Sequence, residues 1–214
     1  MFRQMPLRIT EAFRGVSAFQ WNRIMSNKAL AIFLSAVFTS ATGLYSAEGV
    51  ECEAFVVPLP VVVQARGNEK TLFLIAMKLE NSSSHTLVFS KYNTPTPKLT
   101  SISGKPLKTL GGSDVTRMAQ YSDFVLLRPR ESTFFTMEAT ARYSAGKVTL
   151  SGNKADGGAW SIRDVQPGTY KMRLVYYVPD STLPKEIAKA WPDFALWSGE
   201  VATNPILLEI QKTD

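Results

Sequence analysis

The amino-acid sequence predicts an all-β protein, a sandwich or barrel of eight or nine strands with one short helix. Three observations carry this. Short apolar runs recur at regular spacing between turns rich in Gly, Pro, Asn and Ser, and no segment repeats. Several runs alternate with period two. Tyr170, Met172, Leu174 and Tyr176 fall on one side of a strand, and Lys171, Arg173, Val175 and Tyr177 on the other. Only Leu183–Trp191 has helical spacing, with Leu183, Ile187 and Trp191 at i, i+4 and i+8.

The elements follow in order. Met25–Lys28 is a basic start, Ala29–Phe38 an apolar run, and Thr39–Ala47 a small and polar tail. This is the pattern of a helical secretory signal starting at Met25, with residues 1–24 an over-long start. Cleavage is expected after Ala47, Ala41 or Gly43. The alternative is an uncleaved anchor, although the run is short for a membrane-spanning helix. Residues 1–47 are thus read as a leader and 48–214 as one domain.

In Ala54–Ala65, Pro58 and Pro60 remove ladder donors, so an edge strand or a strand entered after a break is expected. Thr71–Glu80 is apolar enough for a central strand. Asn81–Ser84 is a turn, and His85–Lys91 the next strand. A loop over Tyr92–Lys98 leads to a hairpin of Leu99–Ile102 with Pro106–Leu110. Gly111–Asp123 is expected to be a loop. Phe124–Leu127, Ser132–Ala141, Val148–Leu150 and Trp160–Ile162 are further strands, with a polar loop over Ser151–Gly158. Pro167-Gly168 is turn chemistry, since Pro presets φ and Gly allows a positive one. Tyr170–Val178 is a long strand. A connection over Pro179–Asn204 holds the helix, and Pro205–Gln211 closes the chain.

The stretch Ile162-Arg-Asp164-Val-Gln-Pro-Gly168-Thr-Tyr170 resembles the E–F corner of immunoglobulin-like and fibronectin-type-III-like domains. The resemblance implies an immunoglobulin-like antiparallel β-sandwich. Thr71–Glu80 would be strand B, the Trp160 strand E, Tyr170 the start of strand F, and the closing strand G, with the helix in the F–G connection. It makes Tyr170 the residue whose hydroxyl folds back on upstream backbone, with Asp164 and Gly168 completing the corner. Met172 stands where antibody-type domains carry a Cys, so their inter-sheet disulfide is absent.

Composition narrows function by exclusion. The net charge is +6, but residues 1–47 hold five cations and one acid, which leaves +2 for the body. That lacks the clustered basic footprint of a nucleic-acid binder. Any membrane attachment would run through the N-terminal segment, if it stays uncleaved. One cysteine, Cys52, and one histidine, His85, make neither a zinc site nor an intrachain disulfide. Cys52 is expected as a buried thiol. No Walker loop, dinucleotide fingerprint or Gly-x-Ser-x-Gly elbow occurs. No cofactor is implied. Asp114, Asp123, Asp156, Asp164 and Asp180 are scattered acids that would have to meet in space to act. Asn81-Ser82-Ser83 is a glycosylation sequon, relevant in a eukaryotic secretory pathway.

The expectation is therefore an exported, non-enzymatic binding or structural module of the periplasm or cell surface, with a protein or glycan partner. An immunoglobulin-like proteinase inhibitor and a hydrolase built from the scattered acids are the alternatives. The candidate interaction surface is Trp191, Phe194 and Trp197 in the long connection. These rings either cap the core or stand open to a partner.

Overall fold

The structure is a computed structural model that describes residues 45–47, 49–65, 69–112, 117–180 and 184–213. The expected signal helix and its start at Met25 lie outside the described residues. Tyr45–Ala47, the last three residues assigned to the leader, form a strand (β1) paired antiparallel with the strand that follows. Among the described residues no helix is long and apolar enough to cross a membrane.

The protein is built from mostly antiparallel β-sheets. Val50–Val57 (β2), Lys70–Asn81 (β4), Ser132–Ser144 (β9), Lys147–Asn153 (β10), Ala159–Val165 (β11) and Thr109–Gly112 (β7) join β1 in one sheet, in the order β1-β2-β4-β9-β10-β11-β7. A second sheet centres on Gly168–Val178 (β12). Thr96–Ser101 (β6) lies along one edge of β12, and Gly199–Ala202 (β14) and Ile206–Thr213 (β15) pair successive parts of it. Val61–Gln64 (β3) pairs in parallel with β15. A small third sheet holds Ala195–Leu196 (β13), Leu87–Ser90 (β5) and Phe124–Leu127 (β8). The helix α1 spans Lys185–Ala190 between β12 and β14.

Alternation is the reason the long strands form. Along β12, Met172, Leu174, Tyr176 and Val178 are buried while Lys171, Arg173 and Tyr177 are exposed. In β9, Thr133, Phe135, Met137, Ala139 and Ala141 face inward in the same way. Their side chains share one apolar core with Ile75 and Met77 of β4, Trp160 and Ile162 of β11, and Leu208 and Ile210 of β15. The indole of Trp160 needs a neighbour without a side chain. A Cβ on Gly152 would stand 2.8 Å from that ring and 2.9 Å from the Glu138 carbonyl oxygen.

The strand count exceeds the expected eight or nine because apolar runs are divided where the chain changes sheet. The Ala54–Ala65 run splits at Pro58 and Pro60, each preceded by a cis peptide bond, into β2 of one sheet and β3 of the other. The expected hairpin of Leu99–Ile102 with Pro106–Leu110 forms only at its tip, where Thr100 bridges Pro106 and Leu107 N–H donates to the Leu99 carbonyl at 2.9 Å. Beyond it β6 joins β12 and β7 joins β11. His85 sits exposed in the turn, two residues before β5 begins. The strand beside β4 is β9, not the Trp160 strand, which lies two strands further out. The connection expected over Pro179–Asn204 adds β13 and β14, and Thr203–Pro205 separates β14 from the closing strand β15. There the Thr203 hydroxyl accepts from Leu174 N–H at 3.0 Å and Thr203 N–H donates to the Leu174 carbonyl at 2.9 Å. A buried side chain thus replaces the missing ladder acceptor.

Candidate functional site

At the corner before β12, the Tyr170 hydroxyl donates to the Gln166 carbonyl at 2.8 Å and accepts from Gln166 N–H at 3.1 Å. Gly168 has φ +148°, a conformation that L side chains rarely adopt. Asp164 sits at φ +60°, in a β-bulge where the pairing of β11 with β10 slips between Ile162 and Val165. Its carboxylate meets Lys147 Nζ at 2.7 Å on the surface. These residues shape backbone and present no reactive group.

The aromatic trio of the long connection divides. Trp197 is buried, so of the two readings it caps the core and leaves the candidate interaction surface. The two-residue strand β13 pairs in parallel with β5, and Trp197 N–H donates to the Val88 carbonyl at 2.9 Å. That turns the indole inward, stacked on Tyr176 at 5.4 Å and Phe89 at 5.9 Å. Phe194 is half-buried against a satellite cluster of Val88, Phe124 and Ile187. Trp191 caps α1, whose Ile187 carbonyl accepts its N–H at 2.9 Å. Its half-buried ring meets Tyr121 at 4.9 Å between centroids.

Tyr121 belongs to a segment read from sequence as plain loop. Tyr121–Asp123 is a 3-10 turn, and Asp123 organises it. Its carboxylate accepts Gln120 N–H at 2.8 Å and takes Arg117 Nη2 in a forked pair at 2.8 and 3.1 Å. The Arg117 guanidinium lies 5.2 Å from the centre of the Tyr92 ring, and the Tyr92 hydroxyl donates to the Arg117 carbonyl. The hydrogen bond to Asp123 raises the Arg117 pKa above its ordinary value, with Asp156 adding a smaller attraction. Asp156 is buried and accepts Gly158 N–H at 2.9 Å. Of the scattered acids, Asp123 alone pairs with this arginine. Asp164 is paired elsewhere, Asp180 is exposed, and Asp114 lies outside the described residues.

This arrangement stiffens a loop rather than assembling reactive groups. It presents Tyr121, at 52% exposure, against the Trp191 ring, with Met118 at 82% exposure in the same loop. Spacing along the chain did not signal it, because the parts come from Tyr92, residues 117–123 and Trp191. The one available sign was an Arg and an Asp bracketing a Met and a Tyr in an otherwise polar loop. A shallow depression of about 440 Å³ over β7, β10 and β11 is lined by Leu110, Ser151, Ser161 and small residues, none of them charged. Among the described residues no group of three or more His, Cys, Asp or Glu is placed to hold a metal ion.

Asn81 is closed to modification in the folded state. It is fully buried, its Nδ2 donates to the carbonyls of His85 at 2.7 Å and Leu127 at 2.9 Å, and its Oδ1 accepts from Ser83 N–H and Oγ. Cys52 is a buried free thiol, its pKa pushed up to about 12 by desolvation. No protein-family model matches the chain, and no curated protein matches it in sequence.

Proposed function

We propose that the protein is an exported, non-catalytic binding module on an immunoglobulin-like β-sandwich, and that it meets a protein partner through Tyr121 and Trp191. The sandwich reading draws support from the chain path. After pairing antiparallel with β4, the chain crosses at Pro58–Pro60 to pair in parallel with the closing strand, and it crosses again at the Tyr170 corner. The pair β10 and β11 is then an addition to that plan, inserted between β9 and the corner. Export rests on the pattern of Met25–Ala47.

The observation that carries the binding reading is an exposed Tyr in tilted contact with a half-buried Trp, in the same short loop as an exposed Met, on a turn held by a forked ion pair. Tyr and Trp give large contact area at low entropic cost, and pinning the loop removes part of the cost of ordering it on binding. The test is a photo-crosslinking residue at Met118 of the full-length chain, with a second at exposed Ile102 as control. A discrete adduct at 118 that is lost on Tyr121→Ala or Trp191→Ala is expected. The same adducts from 102 and 118, or an adduct indifferent to both substitutions, would remove the assignment.

A further inference from the structure

We propose that the outer face of the second sheet binds an anionic polysaccharide through Lys98, Lys171 and Arg173. Lys98 stands directly opposite Arg173 across the β6–β12 pair, and Lys171 is two residues from Arg173 on the same face. Directly opposed residues lie ~5 Å apart at Cβ, and i, i+2 neighbours ~7 Å along a strand. All three side chains are exposed, and none has an ion pair or side-chain hydrogen bond among the described residues. Opposed like charges are destabilising in a sheet. The face therefore carries a local cost that an anionic partner would convert into binding.

The acids nearby offset it in part and pair with none of the three cations. Glu209 is diagonal to Lys171, its Oε1 accepting from Gln211 Nε2 at 2.8 Å, and Glu200 stands opposite Tyr177 at the far end of the face, so the cations outnumber the acids. Two exposed apolar groups flank the cations: Leu207, opposite Lys171, at 60% exposure, and Tyr177, four residues beyond Arg173, at 55%. Cations beside an exposed ring and an aliphatic side chain suit a sugar chain, whose rings offer apolar C–H faces while acidic groups project from their rims.

An acidic peptide added as a strand is disfavoured. The free edge of β6 is already occupied by Thr109 Oγ1 on the Pro97 carbonyl at 3.0 Å, Leu107 N–H on the Leu99 carbonyl at 2.9 Å, and Ser101 N–H on the Lys105 carbonyl at 2.8 Å. A peptide would gain no main-chain ladder there.

The experiment is titration calorimetry of the full-length chain with polygalacturonate and dextran sulfate, against neutral dextran and poly-glutamate. Binding to both acidic polysaccharides, weakening as salt rises, is expected. Lys98→Gln with Arg173→Gln should lower affinity by about tenfold, the scale of two lost exposed ion pairs. Lys70→Gln with Lys189→Gln removes the same charge from other exposed positions and should leave affinity unchanged. Tyr177→Ala should weaken polygalacturonate binding further. An equal loss from both double variants, no loss from the first, or poly-glutamate binding as tight as the polysaccharides would overturn the proposal, the last by pointing to an acidic protein. An unchanged melting temperature shows that each variant is folded.

Discussion

Asn81 shows how much one side chain can hold. It ends β4, and its amide joins three segments: the turn at Ser83, the carbonyl of His85, and the carbonyl of Leu127 at the end of β8. Its backbone does likewise, accepting from Arg130 N–H at 2.7 Å and donating to the Glu131 carbonyl at 3.0 Å. Asn81→Ala takes the amide from the buried Leu127 carbonyl and from Ser83 N–H, while Ser83 Oγ still reaches the His85 carbonyl at 2.9 Å. We expect a loss of about 3 kcal/mol, from a few hydrogen bonds and an unmet desolvation penalty, read as a lower urea midpoint at unchanged slope. A loss within ~0.5 kcal/mol, the range of ordinary surface substitutions, would show that water replaces the amide. The sequence displayed this residue only as a turn former and sequon. Burial of a turn Asn depends on what packs over it, and Leu127 is 46 residues away. Tyr170 was more legible, because its hydroxyl bonds backbone only four residues upstream.

Among the elements, β9 and β12 could be read directly, since each alternates over enough residues for the period to stand out, and β4 through its apolar run, which is buried at Ile75, Ala76 and Met77 in succession. Short pieces could not. β13 has two residues and owes its existence to a parallel partner 108 residues earlier, so Trp197 was grouped by spacing with Trp191 when pairing sends it into the core. Asp123 stands in the sequence only as one of several scattered acids, and nothing local marks Arg117 as its partner. The hairpin of β9 with β10 was also only half seen. Its turn residues, Ala145 and Gly146, have φ of +50° and +80°, both in the left-handed region that two-residue hairpin turns of type I′ require. Alanine is strained there, and Asn or Gly is better suited. Ala145→Asn should stabilise the protein by about 0.5–1 kcal/mol, visible as a raised melting temperature. A lowered one would mean that the strain is relieved by contacts the wild-type turn makes.

For the molecule as a whole, titration and fold are linked through the core. Burial raises the pKa of Cys52 from 9.0 to about 12, and raises that of Tyr176 too, against a smaller opposing effect of its hydrogen bond with Ser90. Both groups hold their protons more tightly when folded. The unfolded chain releases them first, so this stability is complete below pH 9 and falls as pH rises toward the folded values. Half-buried Lys91 works the other way, because desolvation lowers its pKa and the unfolded chain keeps that proton longer. Comparing wild type with Cys52→Ala isolates the thiol. Between pH 7 and 10.5 we expect wild type to lose about 2 kcal/mol more than the variant, at ~1.4 kcal/mol per pKa unit. Parallel curves would mean that water reaches the thiol in the folded state.

The parallel seam between β3 and β15 has a consequence for how the chain is made. It ties Val61–Gln64 to Ile210–Thr213, and the Thr213 hydroxyl reaches the Val63 carbonyl across 150 residues of sequence. Synthesis runs from the first of these strands to the last. The early strand therefore waits for a partner made some 150 residues later, and until that partner emerges β12 has an open flank. Such distant closure is slow to find. The second sheet therefore completes late, after the first sheet's strands between the two parallel partners have been made.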